Sequence, residues 1–155
     1  MIALPLPDAK DLANFGWVEP YLARGADPNP AGFAWLTGTA GIASIVNLRA
    51  EDNTEAYLAQ PLGFAPVHIP VTDNCAPSAE QADAWLAFIA DPANHPVFVH
   101  CQSGHGRTST FCILFRVAQQ GWKLDDAIEE SVKRYKFDTA KDREQVAFLD
   151  AYLRR

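Results

Sequence analysis

The sequence predicts an α/β fold: a central, mostly parallel sheet of four to five strands flanked by helices, organised as a single domain over residues 1–155. Three observations predict it. Short apolar runs of strand character alternate with helix-forming segments, the pattern of a parallel sheet with helical crossovers. A chain of 155 residues, 48% of them hydrophobic, is long enough for one well-buried core and short for two. No internal repeat, low-complexity tract or linker interrupts it.

Each element has a local cause. Val18 to Ala23 reads as a first short strand. Asn29-Pro30 joins a helix cap to a first-turn proline and starts a helix to about Thr39. Gly41 then breaks the chain, and Ile42 to Leu48 is a buried strand. Glu51 to Gln60 is helical and is stopped by Pro61. Ala65 to Ile69 is a strand, followed by a loop with Pro70, Asp73, Asn74 and Pro77. Ser78-Ala79-Glu80-Gln81 is a capping box opening a helix with Trp85, Phe88 and Ile89 on one face. Val97 to His100 is a strand, Ser109 to Gln120 a helix, and Gly121 the residue that ends it. Asp125 caps a helix to about Tyr135, and the last helix covers about Asp142 to Leu153. This helix-rich C-terminal third is expected to cover one face of the sheet.

Composition excludes several function classes. A net charge of −6 argues against nucleic acid or an acidic membrane surface as the main partner. No apolar run approaches a bilayer span. Residues Met1 to Asp8 lack the basic and apolar regions of a secretory signal. Three cysteines, an odd number, argue against a disulfide framework and for the reducing cytoplasm. Cys112 sits in an apolar helical run and reads as a small buried hydrophobe, whereas Cys75 lies in a loop.

The chemistry is concentrated in His100-Cys101-Gln102-Ser103-Gly104-His105-Gly106-Arg107-Thr108. A strand feeds this run and a helix follows it, so Cys101 is delivered to the sheet edge where ligands bind. Gly104 and Gly106 let the backbone curl so that the N–H groups of Gln102 to Arg107 form an anion nest. The positive end of the following helix points at the same spot, favouring a thiolate at Cys101. Arg107 can grip two phosphate oxygens in fork geometry. The Thr108 hydroxyl could donate to the sulfur as it leaves, and His100 is better suited to fixing the loop than to acting as a base. This combination is that of phosphoryl transfer to cysteine. Cys101 and His105 have no second ligand pair at zinc-site spacing, and the Gly-Lys-Ser/Thr of a Walker loop is missing.

Ester cleavage also needs a proton for the leaving oxygen. The strand over 65–69 should run parallel to 97–100, so the loop after Ile69 opens on the edge that carries Cys101. Asp73 is the carboxylate in that loop and is the expected general acid, its rival role being a turn-forming aspartate. Cys75, two residues on, could form a reversible disulfide with Cys101.

These residues resemble the cysteine-dependent tyrosine and dual-specificity phosphatase superfamily, whose signature is His-Cys, five residues, then Arg-Ser/Thr. His100, Cys101, Arg107 and Thr108 match it in full. Tyr21 to Pro28, Ile45 to Arg49, Ile69 to Asp73 and Gly121 to Tyr135 are similar to segments of its small atypical branch. The resemblance implies a cysteine-phosphatase-like domain, no metal or other cofactor, and a two-step mechanism through cysteinyl phosphate. Ser109 stands where many relatives have glycine, and the recognition loop of the large tyrosine-specific members is missing, which implies a shallow pocket. His105 matches a position that is often lysine in members acting on inositol phosphates. It is either a cationic contact below neutral pH or a solvent-facing loop residue. Arg49, near the same edge, either adds a second anion contact or pairs with Glu51 or another acid, and Lys133 to Lys136 reads as a solvated helix end.

The expectation is therefore a soluble, monomeric phosphomonoester hydrolase. Phosphotyrosine and phosphoserine/threonine proteins are the leading substrates and inositol polyphosphates or phosphoinositides the alternative. Two rivals use the same parts: a non-catalytic phosphate-binding module and a rhodanese-like sulfurtransferase.

Overall fold

The computed structural model describes residues 3–52, 55 and 62–155. Five strands form one sheet: β1 (Gly16–Glu19), β2 (Leu22–Gly25), β3 (Ser44–Arg49), β4 (Ala65–Val71) and β5 (Val97–His100). Their order is β1-β2-β5-β3-β4, with β1 antiparallel to β2 and every other pair parallel. Among the described residues there are five α-helices: α1 (Pro30–Gly38), α2 (Ala79–Ala90), α3 (Arg107–Ala118), α4 (Leu124–Tyr135) and α5 (Arg143–Arg154). None of them is long and apolar enough to cross a membrane.

The caps act as the sequence predicts at α1 and α2. The Asn29 side chain accepts from the Gly32 N–H at 2.8 Å, and Ser78 and Gln81 exchange hydrogen bonds at 3.0 and 3.1 Å. Three expectations are corrected. The single strand expected over Val18 to Ala23 is two antiparallel strands with Pro20-Tyr21 at the turn, where proline, lacking an N–H, ends a ladder. Asp125 lies inside the first turn of α4, beside Asp126, and complements the helix dipole while Lys123 takes the cap position. Helix α3 begins at Arg107, two residues earlier than expected. The helix expected over 51–60 lies largely outside the described residues.

Both faces of the parallel region are buried, so its strands are apolar at consecutive positions. Val97 and Val99 face one way, with Val46, Leu48, Trp85, Ile89 and Phe111 in the larger core cluster. Phe98 and Ile45 face the other way, with Leu12, Phe33 and Leu36. Thus α1 covers one face and the helices from α2 onward cover the other. Trp85 ties α2 to α3 by donating to the Phe111 carbonyl at 2.8 Å. This double layer fixes β5 at the middle of the sheet.

Candidate active site

His100, the last residue of β5, stands level with Gly25 of β2 and Asn47 of β3. The chain therefore leaves the sheet at Cys101 between two neighbouring strands, on the carboxyl edge. Cys101 is buried, and six residues later Arg107 opens α3.

The loop between them is pressed onto the end of β2. Gly104 has φ +78°, and a Cβ there would lie 2.8 Å from the Gly25 carbonyl carbon and 2.9 Å from the Ala26 nitrogen. Only glycine meets both demands. The Asp27 N–H donates to the Gln102 carbonyl at 3.0 Å. The Gly104 carbonyl accepts from Arg24 Nη2 at 2.9 Å and from Asn14 Nδ2 at 3.1 Å.

His100 supports the same loop. Its ring is buried and stacked on Phe98, with centroids 5.5 Å apart. Nδ1 lies 3.0 Å from the Cys101 carbonyl, an obligate acceptor, so Nδ1 donates. Nε2 lies 2.5 Å from Glu55 Oε1. Asp27, Glu55 and His100 are the group, among the described residues, whose donor atoms could share a metal ion, all within 4.8 Å of one another. Hydrogen bonding already engages His100 there.

Arg107 is 2% exposed and is gripped by carboxylates. Nη1 and Nη2 bind the two oxygens of Glu51 at 2.7 and 3.0 Å, and Nη1 also donates to the Val71 carbonyl at 2.9 Å. The guanidinium holds the Glu51 carboxyl well below its usual range, at about 2. Asp73 Oδ1 is 3.3 Å from Arg107 Nη2 and also accepts the Asn74 N–H at 3.0 Å. The Asp73 side chain is 66% exposed, so its carboxyl group is open to solvent above the guanidinium.

A cavity of about 150 Å³ joins these groups. Cys101, Ser103, His105, Gly106 and Arg107 line it from the loop, Asp73 and Asn74 from the segment after β4. Lys136, Asp138, Lys141, Asp142 and Gln145 close it from the C-terminal side. Gln102 turns outward and is exposed. Thr108 is fully buried, and its Oγ1 has no hydrogen-bond partner among the described residues. Burial and the cations Lys136, Lys141 and Arg24 push the His105 pKa below its ordinary value, so it gains charge only in more acidic solution.

Arg49 does not point into the cavity. It pairs with Asp27 at 3.0 Å, Glu51 at 3.3 Å and Asp52 at 3.0 Å. Cys75, Cys101 and Cys112 are free thiols, and Cys112 is buried as expected. The solvated helix end expected over Lys133 to Lys136 holds for Lys133, Arg134 and Lys136, and fails at Tyr135. Tyr135 is buried, and Lys136, exposed and in the left-handed conformation at φ +61°, stands at the rim of the cavity.

A family described as DSP-PTPase phosphatase fused to NAD+ kinase matches residues 7–149. The chain belongs to this phosphatase family. It is 38% identical over 93 residues to probable NAD kinase 2, chloroplastic, of Oryza sativa subsp. japonica, covering 56% of this chain and 9% of the relative. It is 30% identical over 120 residues to the dual specificity protein phosphatase TpbA of Pseudomonas aeruginosa, covering 76% of this chain and 52% of the relative. It is 30% identical over 128 residues to inositol diphosphatase DSP3 of Arabidopsis thaliana, covering 78% and 62%. The chain thus spans between about a tenth and three fifths of the length of these relatives. Its fold matches the crystal structure of P. aeruginosa TpbA in complex with phosphotyrosine. The TM-score is 0.78 at 21% identity, over 96% of this chain and 92% of that one. As a phosphatase-family sheet, it carries its signature loop at the end of the central strand.

Proposed function

We propose that residues 1–155 act as one phosphatase domain that hydrolyses phosphate monoesters through a cysteinyl-phosphate intermediate. The observation that carries this is the convergence of Cys101, Arg107 and Asp73 on one small polar cavity, contributed by two separate segments of the sheet edge. In the first step Cys101 Sγ attacks phosphorus, the S–P bond forms and the P–O ester bond breaks. Asp73 gives its proton to the leaving oxygen. Arg107 and the backbone N–H groups of Gln102 to Arg107 hold the equatorial oxygens. In the second step the Asp73 carboxylate takes a proton from water, the new O–P bond forms and the thiolate leaves. Thr108, whose buried hydroxyl has no partner among the described residues, is the donor to that departing sulfur. His100 holds the Cys101 carbonyl and with it the strand-to-loop junction.

Proteins carrying phosphotyrosine and phosphoserine or phosphothreonine are the leading substrates, a reading supported by the similarity to TpbA, a dual specificity protein phosphatase. A second reading, inositol polyphosphates, is favoured by Lys136 and Lys141 at the cavity and by the similarity to an inositol diphosphatase. A monomer in a reducing cytoplasm fits the three free thiols, and the acidic charge disfavours nucleic acid.

Phosphate release from a matched panel tests both readings: phosphotyrosine peptide, phosphothreonine peptide, inositol hexakisphosphate and a phosphoinositide. Cys101→Ser should lower turnover at least ~10³-fold on every substrate while phosphate still binds. Turnover near wild type in that variant would remove the cysteinyl-phosphate mechanism. A thiosulfate-to-cyanide assay separates the sulfurtransferase.

A further inference from the structure

Arg24 is the most unusual charged residue outside the catalytic groups. It sits in the middle of β2, fully buried, directly beneath the signature loop. A guanidinium cannot shed its proton in a protein, and buried cations ordinarily pair with a carboxylate. Among the described residues Arg24 has no such partner. Nη2 donates to the Gly104 carbonyl at 2.9 Å and to Ser109 Oγ at 2.7 Å, and Nη1 to Ser131 Oγ at 3.3 Å. The guanidinium carbon lies 3.8 Å from the centroid of the Tyr135 ring, and Nε has no partner among the described residues.

The titratable groups that touch it supply no negative charge. Burial pushes both the Tyr135 hydroxyl and the Cys112 thiol up, so both stay protonated at neutral pH. His105 is neutral there and can only become positive. Glu130, the acid whose charge reaches both Tyr135 and Cys112, is paired with Arg116 at 2.9 Å.

The geometry of the Gly104 peptide gives this cation a direction. In a trans peptide the C=O and the next N–H point opposite ways. Arg24 and Asn14 hold the Gly104 carbonyl down toward β2. The His105 N–H is thereby turned away from the sheet, to the side where His105, Gly106 and Ser103 line the cavity. Without donors below, that peptide would be free to rotate and present an oxygen to a bound anion.

We propose that Arg24 is a positioning residue of the phosphate site: its fork sets the Gly104–His105 peptide with the amide facing the cavity, and its unpaired charge is balanced by the anion bound above. The inference rests on the proposed phosphate-binding role of the loop. It predicts that Arg24 acts on anion affinity as well as on folding.

The experiment measures inorganic phosphate binding by calorimetry in Cys101→Ser, alongside thermal melts. Arg24→Met in that background should raise the phosphate Kd about tenfold or more. Arg24→Lys keeps the charge but cannot span Gly104, Ser109 and Ser131 at once, and should raise it about threefold. Asn14→Ala removes the other donor to the Gly104 carbonyl and should also raise it about threefold. A folded Arg24→Met that melts lower but binds phosphate within twofold of its parent shows a purely structural residue and overturns the proposal. If Arg24→Met does not fold, parity of Arg24→Lys and Asn14→Ala with the parent overturns it instead. If Cys101→Ser itself binds no phosphate, the loop's phosphate-binding role falls first and this inference with it.

Discussion

Helix α3 carries a buried arginine at each end, and the two are held in opposite ways. At the C-terminal end Arg116 uses every nitrogen. Nε and Nη2 bind Glu130, Nη1 binds Glu19 and Gln120, and Nη2 also reaches the Val18 carbonyl. Its guanidinium stacks over Trp122, and its acid partners are only 12% and 28% exposed. At the N-terminal end Arg107 Nε has no partner among the described residues, and its acids Glu51 and Asp73 are 42% and 66% exposed. Burial of the cation is the same in kind at both ends; burial of the counter-ions is not. A fork whose carboxylates already face water can exchange them for another anion at little desolvation cost, whereas Arg116 is locked into the fold.

The largest effect that could break this contrast is on catalysis. Arg107→Lys should lower kcat/KM roughly 10³-fold, since a single ammonium cannot replace the fork at the equatorial oxygens. Arg116→Met should leave kcat/KM of the folded enzyme within about threefold while costing about 3 kcal/mol of stability, because it strands Glu130 and Glu19. Denaturant titration and steady-state kinetics on both variants decide it. A comparable catalytic loss at Arg116 would erase the distinction.

Asp73→Asn sharpens the contrast on the acid side. Loss of about 10²-fold is expected for alkyl phosphates, and less than about fivefold for activated aryl phosphates whose leaving groups need no proton. Equal losses on the two ester classes would take Asp73 out of the acid role and leave it a partner of Arg107 only.

The smallest effect is on acid stability. Glu51 is lowered in the folded state to about 2 by Arg107, so its ionised form stabilises the fold above its unfolded value of about 4.5. That contribution is lost as pH falls from there toward 2. The stability difference between wild type and Glu51→Gln should therefore shrink over this window in urea titrations. A difference that stays constant would mean that Glu51 and Arg107 are not coupled in solution.

What the sequence made legible follows sequence distance. Cys101, Gly104, Gly106 and Arg107 lie within one short run, so strand, turn and helix propensities predict their convergence without knowledge of the rest. Asp73 needed one topological step, that parallel strands open their following loops on the same edge, and β4, β3 and β5 do run parallel. Glu51, Arg24 and Lys136 required more. Nothing local says that Glu51, paired with Arg49, also crosses to Arg107, or that a left-handed Lys136 stands at the rim of the cavity. Arg24 did carry a signal: a lone charge inside Leu22-Ala23-Arg24-Gly25, a strand buried at every position, must satisfy its donors internally. The hairpin at Pro20 was readable in the same way, from the missing N–H.

The signature loop is continuous in sequence, yet two of its fasteners come from far away. The hydrogen bonds to the Gly104 carbonyl from Arg24 and Asn14 span 80 and 90 residues. Closing contacts of that length is entropically slow, and the β2–β5 pairing that brings them together joins distant residues, Leu22 with Val97 and Gly25 with His100. A folding chain that has built α3 and β5 but has not yet docked β2 carries the complete signature with its Gly104 peptide unfastened. Recovery of phosphate binding during refolding is then a clock for the arrival of the N-terminal hairpin, and it should lag behind the burial of Trp85, whose core neighbours on α3 lie much closer along the chain.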